Sequence, residues 1–378
     1  MLLHVNRPSI KYNHSLLTLS ASILRHYRAK TGHKTLPLAD RLLRTYYRNV
    51  VLLVFDGMGT AALEAHLPES AFLRRHMQAS LSSVFPPTTT AATVTLESGL
   101  SPAEHGWLGW KLFFPEIGDN VNLFPNTLPQ SEGAPAADFH VAKRYLPYTT
   151  LFEKIQTADP FVQIGHVSPF GLKKIENVSE LCEAVSYFCD LPSRHYIYGY
   201  WPQPDMDMHT HGVYSPEAAA IIRDIDEQVE KLCKGLSDTL VMITADHGLT
   251  NVSWRFLPDY PDIMACLSQM PSIEARAMAF FAKPGMEKAF EAAFLSHFGD
   301  DFILLPSQEA YESGLFGPGT PHPRTKNFLG NYLALATGHT ALEAASYTGQ
   351  KLLRAAHAGL TPEELLVPFC CYEAPFQI

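Results

Sequence analysis

The chain has 378 residues, 46% of them hydrophobic and 18% charged, which is typical of a folded protein with a sizeable core. Its formal net charge of −9 argues against nucleic-acid polymers as partners, because binding to a phosphate backbone needs clustered Lys and Arg. No run of about 18 apolar residues occurs, so a membrane is not an expected partner either.

The cysteines and the first residues bear on the cellular compartment. The six cysteines show neither a Cys-x-x-Cys pair nor the spacing of a disulfide framework. Residues 1–8 lack the basic segment and following apolar stretch of a secretory signal. A cytoplasmic, reducing location is therefore expected, and no oligomeric state is predicted.

The first part of the chain shows helical periodicity, then a strand, then an irregular stretch. Apolar residues spaced three to four apart predict helices over 14–30 and 38–48, ahead of a buried strand at 50–55. A further helix is predicted to begin near Thr89. Residues 106–148 are rich in Trp, Phe, Pro and Asn with weak periodicity, and we predict a long loop there.

From about residue 149 the pattern alternates regularly between helices and strands. Helices are predicted near 151–155, 178–189 and 216–235, and strands at 161–165, 195–200 and 239–244. Such alternation predicts an α/β fold, a three-layer αβα sandwich with a central, mostly parallel sheet. Residues 255–335 interrupt this rhythm with strands at 277–282 and 301–305 and a helix at 285–298. We therefore predict a core of 1–254 and 336–378 and a small α+β insertion at 255–335.

Acidic residues follow three of the predicted strands. Asp56 follows the strand at 50–55, Asp205 follows the strand at 195–200, and Asp246 follows the strand at 239–244. Because parallel sheets gather ligands at the carboxyl ends of their strands, we expect these three carboxylates to meet. A buried acid without a partner is costly, which favours a metal-binding role.

Histidines and a threonine cluster complete a possible metal-ligand set. His247 directly follows Asp246, His209 lies four residues after Asp205 on the same helical face, and His357 occurs near the end. Three acids, three histidines and a hydroxyl from residues 88–90 would suit two divalent ions. The residues leave open three other ligand candidates, Asp207, His211 and His339.

In their order along the chain, these fragments resemble the motifs of the alkaline phosphatase superfamily, most closely its nucleotide pyrophosphatase/phosphodiesterase-like branch. The matching segments are Phe55-Asp56-Gly57, Thr89 ten residues before Gly99, Ser98–Gly106, Pro204–Gly212, Asp246-His247-Gly248 and His357–Glu364. Together they are scattered over residues 50–368, so the resemblance spans most of the chain.

The resemblance implies a ligand set, a nucleophile and an activity. One zinc would be held by Asp205, His209 and His357, and the other by Asp56, Asp246 and His247 with the Thr89 hydroxyl alongside; manganese is an alternative metal. Thr89 is the implied nucleophile, with Thr88 and Thr90 as alternatives. The implied protein is a two-metal phosphodiesterase or nucleotide pyrophosphatase that forms a phosphothreonine intermediate on a small phosphate-ester or nucleotide substrate.

One departure from the family pattern concerns substrate binding. The phosphodiesterase branch usually carries an Asn shortly after its His-Gly motif, where this chain has Trp107 to Phe114. Lys111 could contact a phosphate oxygen instead, and Trp110, with Trp107, Phe113 and Phe114, could form an aromatic wall. A phosphomonoesterase, a phosphonate hydrolase of the phosphonoacetate hydrolase type and a non-catalytic metal-binding recognition protein are the alternative functions.

Overall fold

The computed structural model describes residues 10–129, 131, 133–349 and 351–376. The helices are α1 Leu16–His26, α2 Pro37–Leu42, α3 Thr60–His66, α4 Phe72–His76, α5 Thr89–Ser98, α6 Pro102–His105, α7 Val141–Tyr145, α8 Leu151–Ala158, α9 Val178–Asp190, α10 Asp205–His211, α11 Pro216–Gly235, α12 Pro261–Cys266, α13 Glu287–Phe298, α14 Ser307–Glu312, α15 Thr325–Phe328 and α16 Pro362–Leu365. The strands are β1 Asn49–Phe55, β2 Met77–Ser82, β3 Lys111–Phe114, β4 Asp119–Asn122, β5 Val162–Val167, β6 Arg194–Trp201, β7 Thr239–Thr244, β8 Thr250–Asn251, β9 Ser253–Phe256, β10 Ser272–Ile273, β11 Ala277–Phe280, β12 Phe302–Pro306, β13 Tyr332–Ala336, β14 Thr340–Glu343, β15 Ala355–Ala356 and β16 Leu366–Ala374.

The central sheet has six strands in the order β2-β16-β7-β1-β6-β5. Strands β7, β1, β6 and β5 are parallel, and β16 pairs antiparallel with both β7 and β2. Every residue of β1 is buried, as expected for a parallel strand that is covered on both faces. The sequence periodicity therefore predicted the sheet correctly.

Two groups of helices cover this sheet. Helices α1, α5 and α8 contact one another, and α11 contacts α3, α4 and α9. Apolar residues of both groups belong to one core cluster with the strands of the central sheet. The αβα sandwich predicted from the sequence is thus confirmed. Within the described part of the chain, no helix combines the length and apolar character that crossing a bilayer requires.

A second, antiparallel sheet has the strand order β12-β13-β11-β10-β3-β4. Most of its strands come from residues 272–336, but β3 and β4 lie within 106–148. The prediction of a long loop over 106–148 is therefore wrong. Residues 111–114 alternate between partly and fully buried positions, and Gly118, at a φ of 77°, belongs to the turn that leads into β4.

The two N-terminal helices are shorter than predicted. Helix α1 ends at His26, and Arg28 then adopts a positive φ of 59°, which no continuing α-helix allows. Helix α2 ends at Leu42, before the segment that leads into β1. Strands β1, β6 and β7 nevertheless lie where the sequence predicted them, and they are the strands that position the site.

Candidate active site

Three acidic residues meet at one edge of the central sheet. Asp56 directly follows β1, Asp205 is the first residue of α10 after β6, and Asp246 lies two residues beyond β7. Because β7, β1 and β6 are neighbours in the sheet, their carboxyl ends bring the three side chains together. All three are buried, with exposed fractions of 3%, 8% and 0%.

The turn after β1 allows this close approach. The backbone N–H of Gly57 donates to Oδ1 of Asp246 at 3.1 Å, which ties the ends of two strands together. Gly57 has a φ of 73°, and a Cβ atom there would lie 2.8 Å from the Cβ of Asp205. A glycine therefore meets both the backbone and the packing requirements of this turn.

His247 lies at the centre of the carboxylates. Its Nε2 is 3.3 Å from Oδ1 of Asp56 and 3.5 Å from Oδ2 of Asp246. Ligand atoms of Asp56, Asp246 and His247 all lie within 4.8 Å of one another, and so do those of Asp205, His247 and His357. Two groups of possible metal ligands thus share one histidine.

His209 and His357 complete the cluster. Nδ1 of His209 is 2.7 Å from the carbonyl of Ala355, which leaves Nε2 facing Oδ2 of Asp205 at 3.4 Å. The ring centre of His357 lies 5.2 Å from that of His209 and 4.0 Å from that of His247. The six acids and histidines expected from the sequence therefore surround a single space.

The alternative ligand candidates lie elsewhere. Nδ1 of His339 pairs with the Thr250 hydroxyl at 2.9 Å. Asp207 and His211 approach each other at 4.0 Å on α10, where both side chains are partly exposed. None of these three belongs to the two ligand groups found among the described residues.

Within the threonine cluster, only one hydroxyl faces the acids and histidines. Oγ1 of Thr89 lies 3.1 Å from Nε2 of His247 and 3.5 Å from Oδ1 of Asp56. The Thr88 hydroxyl instead donates to Glu274 at 2.6 Å. The Thr90 hydroxyl is buried and has no hydrogen-bond partner among the described residues. The geometry therefore favours Thr89 over its neighbours.

The electrostatics of the cluster are dominated by buried negative charge. Burial raises the pKa of Asp205 to about 6, and burial together with the charge of Asp56 raises the pKa of Asp246 well above its usual value. Burial would lower the pKa of His247, but the neighbouring carboxylates outweigh it and raise that pKa to about 10. Burial and two neighbouring histidines lower the pKa of His357. Positive charge is therefore in short supply around the acids.

Unsatisfied atoms show that this donor set fits a cation. Oδ1 of Asp205, Oδ2 of Asp246 and Nδ1 of His357 are buried and have no hydrogen-bond partner among the described residues. Orphaned buried acceptors are costly, and divalent ions with carboxylate and imidazole ligands would satisfy them. The cluster thus suits a divalent metal site, and it does not specify which metal.

A cavity of about 590 Å³ opens above the cluster. Thr89, Asp205, His209 and His357 line its inner end, and Trp110 and Lys111, the residues expected to contact substrate, form part of its wall. The other aromatic residues expected in that wall, Trp107, Phe113 and Phe114, do not line this cavity. Trp107 and Phe114 are buried in the second core, where they pack against other apolar residues, so Trp110 alone of the four lines the cavity.

Two further side chains touch the site and were not foreseen from the sequence. The Tyr200 hydroxyl donates a hydrogen bond to Oδ2 of Asp56. The buried Glu274 lines the cavity and accepts from the Thr88 hydroxyl and from the backbone N–H of Trp110, each at 2.6 Å. Tyr200 lies near the end of β6, the strand that leads to Asp205. This position in the sequence could have indicated that Tyr200 lies close to the acidic residues.

The sequence matches the model of a known protein family. The model described as type I phosphodiesterase / nucleotide pyrophosphatase matches residues 50–292, which is more than half of the chain. No curated protein sequence matches the chain significantly.

Solved structures share the fold at low sequence identity. Human ectonucleotide pyrophosphatase / phosphodiesterase 5 is 18% identical with a TM-score of 0.65, covering 86% of this chain and 87% of its own. The murine protein is 17% identical with a TM-score of 0.61, covering 86% and 91%. Phosphonoacetate hydrolase from Sinorhizobium meliloti 1021, in complex with phosphonoformate, is 16% identical with a TM-score of 0.62, covering 87% and 91%.

Sequence motifs, fold and family model agree. The resemblance to the alkaline phosphatase superfamily is confirmed by the family match and by the superfamily fold of these neighbours. The chain therefore belongs to the type I phosphodiesterase / nucleotide pyrophosphatase family, and with it to the phosphoester hydrolases.

Proposed function

We propose that the protein is a metal-dependent phosphodiesterase or nucleotide pyrophosphatase in which Thr89 is the nucleophile. The observation that carries the proposal is the position of the Thr89 hydroxyl, 3.1 Å from His247 and 3.5 Å from Asp56, at the inner end of a cavity. No other hydroxyl of the threonine cluster faces the six acids and histidines.

One ligand set follows directly from the geometry, and His209, whose Nε2 lies 3.4 Å from Oδ2 of Asp205, completes the second set in place of the shared His247. Asp56, Asp246 and His247 would hold one divalent ion beside Thr89, and Asp205, His209 and His357 would hold the second. Zinc suits the imidazole ligands, and manganese suits the carboxylates. When bound, the ions supply the positive charge that makes a threonine alkoxide accessible near neutral pH and offsets charge on the phosphoryl oxygens.

In the proposed reaction, bonds to phosphorus are made and broken in two steps. The Thr89 oxygen attacks phosphorus, a Thr–O–P bond forms, the bond to the leaving oxygen breaks, and the hydroxyl proton ends on the leaving alcohol. Water then attacks the same phosphorus, the Thr–O–P bond breaks, and the threonine regains a proton. Thr89 thus forms a phosphothreonine ester that retains one substituent of the original diester.

Substrate would be oriented by groups around Thr89. Thr89 is the first residue of the ten-residue α5, where free backbone N–H groups can meet phosphate oxygens. Trp110 is 42% exposed at the cavity wall and offers an aromatic face to a nucleobase or aryl group. Lys111 lies beside it and offers a cation to a phosphoryl oxygen.

A nucleotide is the substrate class we favour. The murine relative is recorded as an inactive threonine-to-alanine variant in complex with AMP. In the present chain Thr89 and Trp110 line the same cavity, and an AMP-like nucleotide is the ligand class that we propose for it.

We also propose a cytoplasmic location, in keeping with six cysteines that are all buried and free.

Phosphonate or phosphomonoester hydrolysis is a second candidate, and Lys111 is the observation in its favour. Such substrates carry an additional negative charge, and Lys111 lines the cavity where that charge would lie. Phosphonoacetate hydrolase, a structural neighbour, is recorded with the small anion phosphonoformate. A non-catalytic recognition role is less favoured, because all the expected ligands and the nucleophile lie together.

Replacing Thr89 tests the nucleophile. We expect Thr89→Ala to lower kcat toward an aryl phosphodiester by more than about a thousandfold, because the hydroxyls of Thr88 and Thr90 do not face the acids and histidines and so cannot take its place. Thr90→Ala is the matched control and should retain activity, since its hydroxyl contacts no partner in the described structure. Unchanged turnover in Thr89→Ala would remove Thr89 from the mechanism.

Substrate preference separates the two candidate functions. We expect chelator-sensitive hydrolysis with a higher kcat/KM for an aryl phosphodiester than for an aryl phosphomonoester or phosphonoacetate. Lys111→Gln should lower kcat/KM for the doubly charged substrates about tenfold and for the diester much less, because only they carry the extra charge. A wild-type preference for the monoester or phosphonate would favour the second candidate.

Replacing Tyr200 tests the hydrogen bond that its hydroxyl donates to Asp56. Tyr200→Phe should weaken binding of one divalent ion about tenfold, because Asp56 loses the donor that orients it. Tyr198→Phe is the control from the same strand, since the buried Tyr198 hydroxyl has no hydrogen-bond partner among the described residues. Competition titration with a chelating dye measures both, and equal metal affinities in the two variants would contradict the assignment.

A further inference from the structure

A fully buried ion pair joins the second sheet to the segment that follows His357. Arg276 lies in the turn between β10 and β11, and Glu364 lies in α16. Nε and Nη2 of Arg276 donate to Oε1 and Oε2 of Glu364 at 2.6 and 2.7 Å. Both side chains have no exposed surface, and the two parallel bonds fix their relative orientation.

The remaining guanidinium donors extend the connection. Nη1 donates to the carbonyl of Thr340 at 2.8 Å, and Nη2 also donates to the carbonyl of Gly338 at 2.7 Å. Arg276 thus ties Glu364 to the segment between β13 and β14. A lysine could not form this set of bonds, because its single nitrogen lacks the planar fork.

The carboxylate of Glu364 reaches back toward His357. Oε1 accepts the backbone N–H of Gly359 at 2.7 Å, and Oε2 accepts the Thr361 hydroxyl at 2.7 Å and its N–H at 3.3 Å. The backbone carbonyl of Glu364 accepts the N–H of Gly248 at 2.9 Å. One residue therefore holds the chain on both sides of the cluster, after His357 and after His247.

The backbone next to His357 is strained, so it needs such support. Ala358 has a φ of 87°, a region that residues with a Cβ atom rarely adopt. The two following N–H groups are held by Glu364 and by the carbonyl of Ala336. A Cβ atom on Gly359 would lie 2.7 Å from Oε2 of Glu364 and 2.8 Å from Nη2 of Arg276. The ion pair thus packs directly against the turn that His357 begins.

We propose that Arg276 and Glu364 are positioning residues that set where His357 stands and thereby tune the affinity of the metal site that it helps to form. The inference rests on the proposed function for the ligand role of His357 and goes beyond it by naming what orients that ligand. The hydrogen bonds of the two side chains go to each other and to residues 338, 340, 359 and 361, and none goes to an expected ligand atom. Both act through the backbone of residues 358–361.

Stability alone is a weak explanation for this ion pair. Charges buried in an ion pair lose their hydration, and well-packed apolar residues of similar volume are often as stable. Residues that orient metal ligands, in contrast, change metal affinity by about 10- to 100-fold when they are altered. The direction of the Glu364 side-chain bonds, toward the turn after His357, fits the second role.

Metal affinity of the full-length protein tests the proposal without relying on turnover. Metal-free wild type, Glu364→Gln and His357→Ala are titrated with Zn²⁺ against a chelating dye, and unfolding is followed with and without the metal. We expect Glu364→Gln to weaken one of two zinc sites at least tenfold and to leave the other within about twofold. Affinities within twofold of wild type at both sites would overturn the proposal.

A double-mutant cycle distinguishes positioning from general damage. If Glu364 acts through His357, adding Glu364→Gln to His357→Ala should lower zinc affinity no further. An additional tenfold loss in the double variant would show that Glu364 acts by another route, against the proposal.

Asp226→Asn is the matched control, because Asp226 is a buried carboxylate that accepts two backbone N–H groups, of Phe72 and Leu73, outside the cluster. It should lower the melting temperature without changing zinc affinity.

Two further outcomes, a variant that does not fold and a wild type that binds no zinc, are covered by the design. If Glu364→Gln fails to fold, the paired replacement Arg276→Met with Glu364→Leu removes both charges together, which avoids leaving one buried and alone. That pair should fold and still lose affinity at one site; wild-type affinity in it would contradict the proposal. Wild-type protein that binds no zinc would defeat the proposed function itself, whereas two bound ions with an unaffected Glu364→Gln would defeat the positioning role alone.

Discussion

The carboxylates of Asp56, Asp205 and Asp246 lie buried side by side, and the structure around them is arranged to make this possible. Like charges in a low-dielectric interior repel strongly, so the cluster is stable only with protons or cations among the acids. His247 supplies at most one positive charge. The orphaned oxygen atoms of Asp205 and Asp246 indicate where further positive charge belongs. This requirement links the fold to metal-dependent chemistry.

One turn of the second sheet contacts two sides of the site. Residues 274–276 connect β10 and β11, with Glu274 bonded to Thr88 at the start of α5 and Arg276 bonded to Glu364 beyond His357. Ile273, just before this turn, has a φ of 76°, which is unusual for a β-branched residue. Strain of this kind persists only where the surrounding contacts fix the conformation. The turn therefore connects the nucleophile side of the cavity to the histidine side.

The sequence alone predicted the features that depend on local patterns of apolar and polar residues. The apolar run of β1 and the alternation of helices and strands predicted the central sheet, and strand ends predicted where Asp56 and Asp246 would meet. The hairpin of β3 and β4 escaped prediction because its strands are only four residues long and because β3 also pairs with the distant β10. Glu274 and Arg276 escaped for a similar reason. Their partners, Thr88 and Glu364, are far away in sequence, and no periodicity records such contacts.

Whether Thr89 attacks phosphorus before water does is tested most directly by the stereochemical course of hydrolysis. A phosphorothioate diester of known configuration is hydrolysed in ¹⁸O-labelled water by the metal-loaded protein, and the configuration of the product is determined. Two successive in-line displacements each invert phosphorus, so the account predicts net retention. Net inversion would mean that water attacks the diester directly and would contradict a covalent intermediate on Thr89.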